Sequence, residues 1–242
     1  MKMTTAMGRI GLVSAVALLA GSTSLSASTL VHTFLFNNSL ADGTGAATMT
    51  SSGGSLSATQ HLFGANQGLT LTGATNSLSD YSIEMEFTLT TVSGFNKILD
   101  FQNLTSDRGL YVNGGLIFFD LGSGGTILAN TPVRVVLTRD GASNALVGYV
   151  NGTQAFSVAD PLGRAIFTGP FQFFRDDNGG TEASAGSVDL IRIYDGALTA
   201  TEVGNLTSPG GSGGGGSPVP EPATVTLTGL ALVAVALAKR RA

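Results

Sequence analysis

The stretch Tyr81–Thr90, YSIEMEFTLT, alternates apolar and polar side chains along its length. Successive side chains of a β-strand point to opposite faces of the sheet, so this alternation is typical of a strand with one buried and one exposed face. The alternation places four side chains on the buried face, namely Ile83, Met85, Phe87 and Leu89. It places Glu84 and Glu86 on the opposite face, where polar side chains of such a strand are expected to contact solvent.

The regions that flank this stretch contain further β-rich runs separated by turn residues. Asn113-Gly114 and Asn151-Gly152 each separate two such runs, Asp140-Gly141 follows the run Val133–Arg139, and the last strand is predicted at Ser187–Tyr194. Asn-Gly pairs readily adopt the positive φ angles of two-residue hairpin turns, so both pairs predict tight hairpins. Many antiparallel strands without βαβ alternation predict an all-β fold, a two-sheet antiparallel sandwich of jelly-roll type.

One short helical turn is predicted after the last strand. Thr199 and Glu202 have the spacing of a capping box, in which each side chain accepts a hydrogen bond from the backbone N–H of the other residue. No other part of the central region shows sustained helical periodicity. Residues 29–207 are therefore predicted to form one β-sandwich domain.

Three segments of this region resemble the laminin-G-like, concanavalin-A-like superfamily. They are Tyr81–Phe101, Pro132–Phe156 with its YVNG hairpin, and Gly186–Val203 with a closing strand and short helix. The resemblance implies a concanavalin-A-like sandwich, a lectin-type role in carbohydrate binding, and calcium in loops at the rim. The family often carries a tryptophan before the strand that begins near Pro132, and this chain contains no tryptophan.

Residues 1–28 are predicted to form a signal peptide. Lys2 and Arg9 precede the apolar stretch Ile10–Ala20, and Gly21–Ser28 contains the small residues typical of a cleavage site. The apolar stretch is too short for a transmembrane helix. We therefore expect an exported protein.

Residues 218–242 are predicted to form a sorting segment. Pro220, Glu221 and Pro222 precede the apolar run Ala223–Ala238, and a basic cluster from Lys239 to Arg241 follows. This order resembles the PEP-CTERM signal of Gram-negative bacteria. The resemblance implies a C-terminal transmembrane helix in the inner membrane and an exosortase-type protease as processing partner. It also implies delivery to the cell surface or extracellular matrix, and the alternative is an ordinary C-terminal membrane anchor.

A flexible linker is predicted at residues 208–217, which include the run PGGSGGGGS. Between residues 29 and 207, seven basic residues stand against 15 acidic residues, and the whole chain contains no cysteine. This negative charge argues against nucleic acid as a partner. Without disulfides, the exported domain must be stabilised by its core alone.

The carboxylates of the central strand do not predict an enzyme. Glu84 and Glu86 lie on one face of it, but the third acid that related glycoside hydrolases carry further along this strand is missing. His32 and His61 belong to no nucleophile motif. We therefore expect no enzymatic activity, and a degenerate glycoside hydrolase is the weakest of the alternatives.

The loop before the last strand is a candidate calcium site. Asp176, Asp177 and Glu182 supply carboxylates close together in sequence, and calcium takes six to eight oxygen ligands in irregular geometry. The alternative is an acidic turn in which Asp176 pairs with Arg175 or Arg192, or caps backbone amides.

Tyrosines beside hairpin asparagines are the candidates for sugar contact. They are Tyr111 with Asn113 and Tyr149 with Asn151, with Tyr194 as a further ring. The alternative is that these rings fill the core. The expected partner is an extracellular polysaccharide, and the main alternative is a structural or adhesive surface protein without a specific glycan ligand.

Overall fold

The computed structural model describes residues 28–75, 77–177 and 180–207. The predicted linker and sorting segment, and all of the predicted signal peptide except Ser28, lie outside the described residues. The described elements, in chain order, are β1 (Thr29–Phe34), β2 (Thr48–Ser51), β3 (Ser55–Leu56), β4 (His61–Phe63), β5 (Leu69–Thr72), β6 (Tyr81–Leu89), β7 (Asn96–Asp100), β8 (Gly109–Val112), β9 (Leu116–Phe118), β10 (Gly122–Gly124), β11 (Val133–Asp140), β12 (Ala145–Val150), β13 (Thr153–Ala159), β14 (Phe171–Phe173), β15 (Gly186–Asp195) and α1 (Ala200–Gly204).

The strands form two antiparallel sheets. Sheet I has eight strands, of which seven follow the order β13-β12-β11-β6-β15-β4-β3. The eighth, β1, pairs with the second half of β15, on the same side of β15 that pairs with β4 in its first half. Sheet II has seven strands in the order β10-β9-β8-β7-β14-β5-β2. The predicted all-β, two-sheet antiparallel sandwich is confirmed.

One hydrophobic core joins the two sheets. Sheet I contributes Phe87 and Leu137, sheet II contributes Leu71 and Phe173, and all four are fully buried. Aromatic rings line one end of this core, where the ring centroids of Phe167 and Phe171 lie 3.6 Å apart. Because each fully buried side chain of this size stabilises the fold by about 1.5–3 kcal/mol, the core can hold the domain without disulfides.

The outer face of β6 is covered where the sequence predicted solvent. Phe87 is buried as expected, but Glu84 is also fully buried, so its predicted exposure was wrong. The reason is the C-terminal segment 198–207, whose Leu198 and Val203 pack on sheet I in a second apolar cluster with Val136, Tyr149 and Tyr194. Sequence alternation along one strand cannot show that a distant segment covers its polar face.

The C-terminal segment is held by a capping box and by two arginines. Thr199 Oγ1 accepts a hydrogen bond from Glu202 N, and the Glu202 carboxylate accepts one from Thr199 N, as predicted. Beyond α1, Arg134 donates to the carbonyl of Leu206 and Arg192 donates to the carbonyl of Thr207. The end of the described chain is therefore fastened to β11 and β15.

The two Asn-Gly turns differ. Asn151 and Gly152 have φ values of 50° and 79°, and Val150 pairs directly with Thr153, so the predicted two-residue hairpin is confirmed. At Asn113-Gly114 the prediction was wrong, because Val112 pairs with Leu116 and Gly115 joins the loop. Backbone hydrogen bonds to other loops hold the longer turn in place, because Gly114 N donates to Val92 O and Ile127 N donates to Gly114 O.

Within the described ranges, no helix is long and apolar enough to cross a membrane. The predicted transmembrane helix at residues 223–238 lies outside those ranges.

Candidate functional site

The outer face of sheet II carries exposed aromatic rings. Phe95 precedes β7 and Phe119 follows β9, and their exposed fractions are 39% and 41%. Tyr111 lies with them, its ring centroid 5.9 Å from that of Phe95 and 6.3 Å from that of Phe119. We call Phe95, Tyr111 and Phe119 the aromatic patch. Since Leu110 and Val112 point into the core, the alternation of β8 directs Tyr111 outward.

A charged surface pocket adjoins Phe119. It has a volume of about 260 Å³, and its lining includes Asp107, Arg108, Phe119, Asp120 and Arg164. Arg164 Nη1 lies 3.7 Å from Asp120 Oδ2, which partly balances the charge. Carboxylates accept hydroxyl hydrogen bonds, guanidinium groups donate them, and an exposed ring offers an apolar face. This combination suits a ligand that has both hydroxyl groups and an apolar face.

Tyr111 connects the aromatic patch to the pocket. Its ring is buried and its hydroxyl donates a hydrogen bond to the carbonyl of Asp107 at 2.8 Å. Burial raises the pKa of Tyr111, so the hydroxyl keeps its proton at neutral pH. Tyr111, predicted as a sugar contact, therefore supports the surface from below and fixes the backbone at Asp107.

Three carboxylates converge beside the aromatic patch. Ligand oxygens of Asp107, Asp176 and Glu182 lie within 4.8 Å of one another. Burial and the neighbouring carboxylates of Asp176 and Asp107 raise the pKa of Glu182. Sequence reasoning missed Asp107, because it lies in the loop between β7 and β8 and no motif connects it with the loop that follows β14.

Asp177 has a different partner from the one predicted. Its Oδ1 lies 2.9 Å from Lys97 Nζ, and Asp176 Oδ1 lies 3.4 Å from the same nitrogen. Asp176 therefore pairs with Lys97 and not with the arginines considered from the sequence.

The oxygens of Asp176 also cap backbone amides, as the acidic-turn alternative predicted. Oδ1 accepts a hydrogen bond from Asp177 N and Oδ2 accepts one from Glu182 N. The residues thus fit a calcium site poorly, since one predicted ligand is directed to an ammonium group and another is already hydrogen-bonded. Calcium binding by Asp176, Asp177 and Glu182 stays a prediction.

The other predicted sugar contacts do not form one surface. Tyr149 and Tyr194 are buried in the cluster beneath the C-terminal segment. Asn113 lies at the β8–β9 turn of sheet II, whereas Asn151 lies at the β12–β13 turn of sheet I and accepts a hydrogen bond from Arg134 N through its side chain. The exposed rings of Phe95 and Phe119 were missed because core phenylalanines have the same sequence context.

The carboxylates of β6 belong to an ion-pair network. Glu84 Oε2 lies 3.2 Å from Arg192 Nη1 and accepts a hydrogen bond from the Tyr194 hydroxyl. Arg134 bridges Glu84 and Glu86. Burial raises the pKa of Glu84, while Arg192, Tyr194 and Arg134 oppose that rise. Because the C-terminal segment binds Arg134 and Arg192 above it, the buried Glu84 does not line an open cleft.

The two histidines have separate local roles. His32 Nδ1 lies 2.5 Å from Asp42 Oδ2 in the first loop of the domain. His61 Nε2 lies 3.2 Å from Ser51 Oγ, but the Ser51 hydroxyl donates to the carbonyl of Gly53. The Ser51 proton is therefore directed away from His61, unlike that of a nucleophile paired with a general base.

Comparison with known proteins gives the family context of this surface. A family model described as the concanavalin A-like lectin/glucanases superfamily matches residues 63–204, more than half of the chain. A search of curated proteins with the sequence found no match.

Several solved structures share the fold. Domain 4 of an extracellular arabinanase from Geobacillus stearothermophilus, in complex with arabinotriose, gives a TM-score of 0.57 at 19% identity, over 74% of this chain and 98% of that domain. A Trypanosoma rangeli sialidase in complex with 2,3-difluorosialic acid gives 0.59 at 14% identity, over 72% of this chain and 32% of the sialidase. The binding domain of botulinum neurotoxin serotype D gives 0.55 at 13% identity, over 73% of this chain and 50% of that domain. At these identities the likeness shows the fold alone.

Proposed function

Because the chain belongs to the concanavalin A-like lectin/glucanases superfamily, we propose that it is an exported, non-catalytic carbohydrate-binding protein of the cell surface or extracellular matrix. The observation that carries this proposal is the exposed ring of Phe119 beside the charged pocket of Asp107, Arg108, Asp120 and Arg164. The arabinanase domain, 98% of which this fold covers, was solved with arabinotriose, which supports an oligosaccharide ligand. The ligand class proposed here is an extracellular polysaccharide.

The enclosure of Glu84 supports a non-catalytic role. Glycoside hydrolysis needs two carboxyl groups on either side of an accessible sugar, and Glu84 is fully buried against Arg192 and Tyr194. Turnover assays on β-glucans test the hydrolase alternative, and release of reducing sugar by the protein would contradict the proposal.

A glycan array with the full-length protein, with and without calcium, tests carbohydrate binding directly. For a glycan bound by the parent, Phe119→Ala should weaken binding about 10-fold or more, because an exposed ring at the centre of a contact carries much of the affinity. Isothermal titration with the best array ligand measures this change. Leu62→Ala is the control, since Leu62 is equally exposed but lies in β4 of sheet I.

Two results would contradict the glycan site. If no glycan on the array binds, the structural or adhesive alternative is favoured. If Phe119→Ala binds the ligand as tightly as the parent and as Leu62→Ala, the pocket beside Phe119 is the wrong location.

Sorting by the C-terminal segment is the second part of the proposal. Pro220, Glu221 and Pro222 directly precede the apolar run, so Glu221→Ala should prevent cleavage by an exosortase-type protease and leave full-length protein in the inner-membrane fraction. Immunoblots of membrane and secreted fractions measure this result. Ser217→Ala, just outside the tripeptide, should be processed normally; equal processing of both variants would refute the role of Glu221.

A further inference from the structure

Lys97 lies inside a buried group of oxygen atoms, with its Nζ 5.4 Å from the centre of the Tyr111 ring. Nζ is 2.9 Å from Asp177 Oδ1, 3.3 Å from Asp100 Oδ2 and 3.4 Å from Asp176 Oδ1. The carbonyl of Ser106 is a fourth acceptor, at 3.4 Å. The side chains of Lys97, Asp100 and Asp176 are completely buried.

The four acceptors come from three segments of the chain. Asp100 ends β7, Ser106 lies in the loop between β7 and β8, and Asp176 and Asp177 follow β14. These two loops also carry Asp107 and Glu182, which lie beside the aromatic patch. The Lys97 side chain thus contacts both loops at once.

We propose that the Lys97 ammonium group is the resident cation of this loop cluster and holds the loops of Asp107 and Glu182 without a bound metal. Oxygen-rich loops from separate segments are also how proteins surround calcium, at 2.3–2.6 Å. An ammonium group has three donors and makes longer contacts, in keeping with distances of 2.9–3.4 Å. The inference goes beyond the proposed function, and its test uses no glycan.

The charge of Lys97 is retained in this environment. Burial disfavours the ammonium form, but the hydrogen bond to Asp177 and the nearby Tyr111 and Asp100 raise the pKa of Lys97 above its ordinary value. Burial raises the pKa of Asp100, whose carboxylate also accepts backbone hydrogen bonds from Gln102 and Leu104. The three carboxylates within 3.4 Å of Nζ thus favour the charged form of Lys97 in the folded chain.

The ammonium group also disfavours a metal beside it. A divalent ion bound by Asp107, Asp176 and Glu182 would share the Asp176 carboxylate with Lys97 and bring two cations within a few ångströms. Repulsion between like charges is strong where water is largely excluded. Lys97 thus competes with a metal ion for the buried Asp176 carboxylate.

Thermal melts of the full-length protein in EDTA and in 10 mM calcium chloride test the proposal. With Lys97 as the resident cation, the two melting temperatures should agree within about 1 °C. A calcium site with a Kd on the order of 0.1 mM would instead raise the melting temperature by about 5–10 °C. A calcium-dependent rise of that size in the parent would overturn the proposal.

Two variants measured in EDTA separate the alternatives further. Lys97→Met removes the ammonium group from three buried carboxylates and should lower the melting temperature by about 10 °C or more. If that variant does not fold, Asp177→Asn provides the milder test and should lower it by several degrees. An EDTA melting temperature unchanged by Asp177→Asn would refute the proposal, because a metal ligand does not stabilise the metal-free protein.

Discussion

Phe87→Ala is expected to lower the free energy of unfolding by about 3–5 kcal/mol. Phe87 is fully buried near the C-terminal end of β6, where its ring meets that of Phe174 edge-on at 5.4 Å between centroids. The substitution removes buried apolar area and leaves a cavity that the surrounding sheets fill only in part. Urea denaturation followed by circular dichroism measures the loss.

Phe119→Ala is the matched control for Phe87→Ala. Both remove the same ring, but Phe119 is 41% exposed on the outer face of sheet II. Its loss should cost about 1 kcal/mol or less, since surface substitutions have small effects on stability. Equal losses for the two variants would contradict the assignment of Phe87 to the inner face, because a one-residue slip in register exchanges the faces of a strand.

Arg139→Met should have an effect of similar size by a different mechanism. Arg139 is almost fully buried in β11, its Nε lies 3.1 Å from Asp160 Oδ2, and it also donates to the carbonyl of Ser79. Removal of Arg139 leaves the buried Asp160 carboxylate without its cation, which costs about 3–5 kcal/mol. The unfolding free energy from chemical denaturation is the measurement.

Two further variants show whether the loss comes from the buried charge. Arg164→Met removes an arginine whose pair with Asp120 is 3.7 Å long and solvent-exposed, so it should cost under about 1 kcal/mol. The double variant Arg139→Met, Asp160→Leu removes both buried charges and should recover part of the stability. A double variant less stable than Arg139→Met would show that Asp160 acts mainly through its hydrogen bonds to Arg164 N and Ala165 N.

The parts of the fold that the sequence predicted depend on local chemistry. The alternation around Phe87, the positive φ angles at Asn151-Gly152 and the reciprocal bonds of Thr199 and Glu202 each involve residues close together in the chain. Side-chain period, turn conformation and helix capping are properties of such short segments. For this reason they could be predicted without any knowledge of the tertiary contacts.

The parts that could not be predicted depend on distant contacts. Glu84 is buried because residues 198–207 pack over sheet I, and no feature of the β6 sequence predicts that contact. Asp107 and Lys97 enter the acidic cluster through the arrangement of β7, β8 and β14. The composition of residues 175–182 predicted a cation near the carboxylates, but only the packing shows a lysine within their reach.

The contacts of the C-terminal segment determine on which sheet the two ends of the described domain lie. Arg192 holds the carbonyl of Thr207 on sheet I, and β1 begins beside the end of β15, where Thr29 pairs with Asp195. Both ends of the described domain therefore leave from sheet I, whereas Phe95 and Phe119 lie on the outer face of sheet II. A tether at either terminus would therefore join the domain on the side of sheet I and leave the aromatic rings of sheet II uncovered by the attachment.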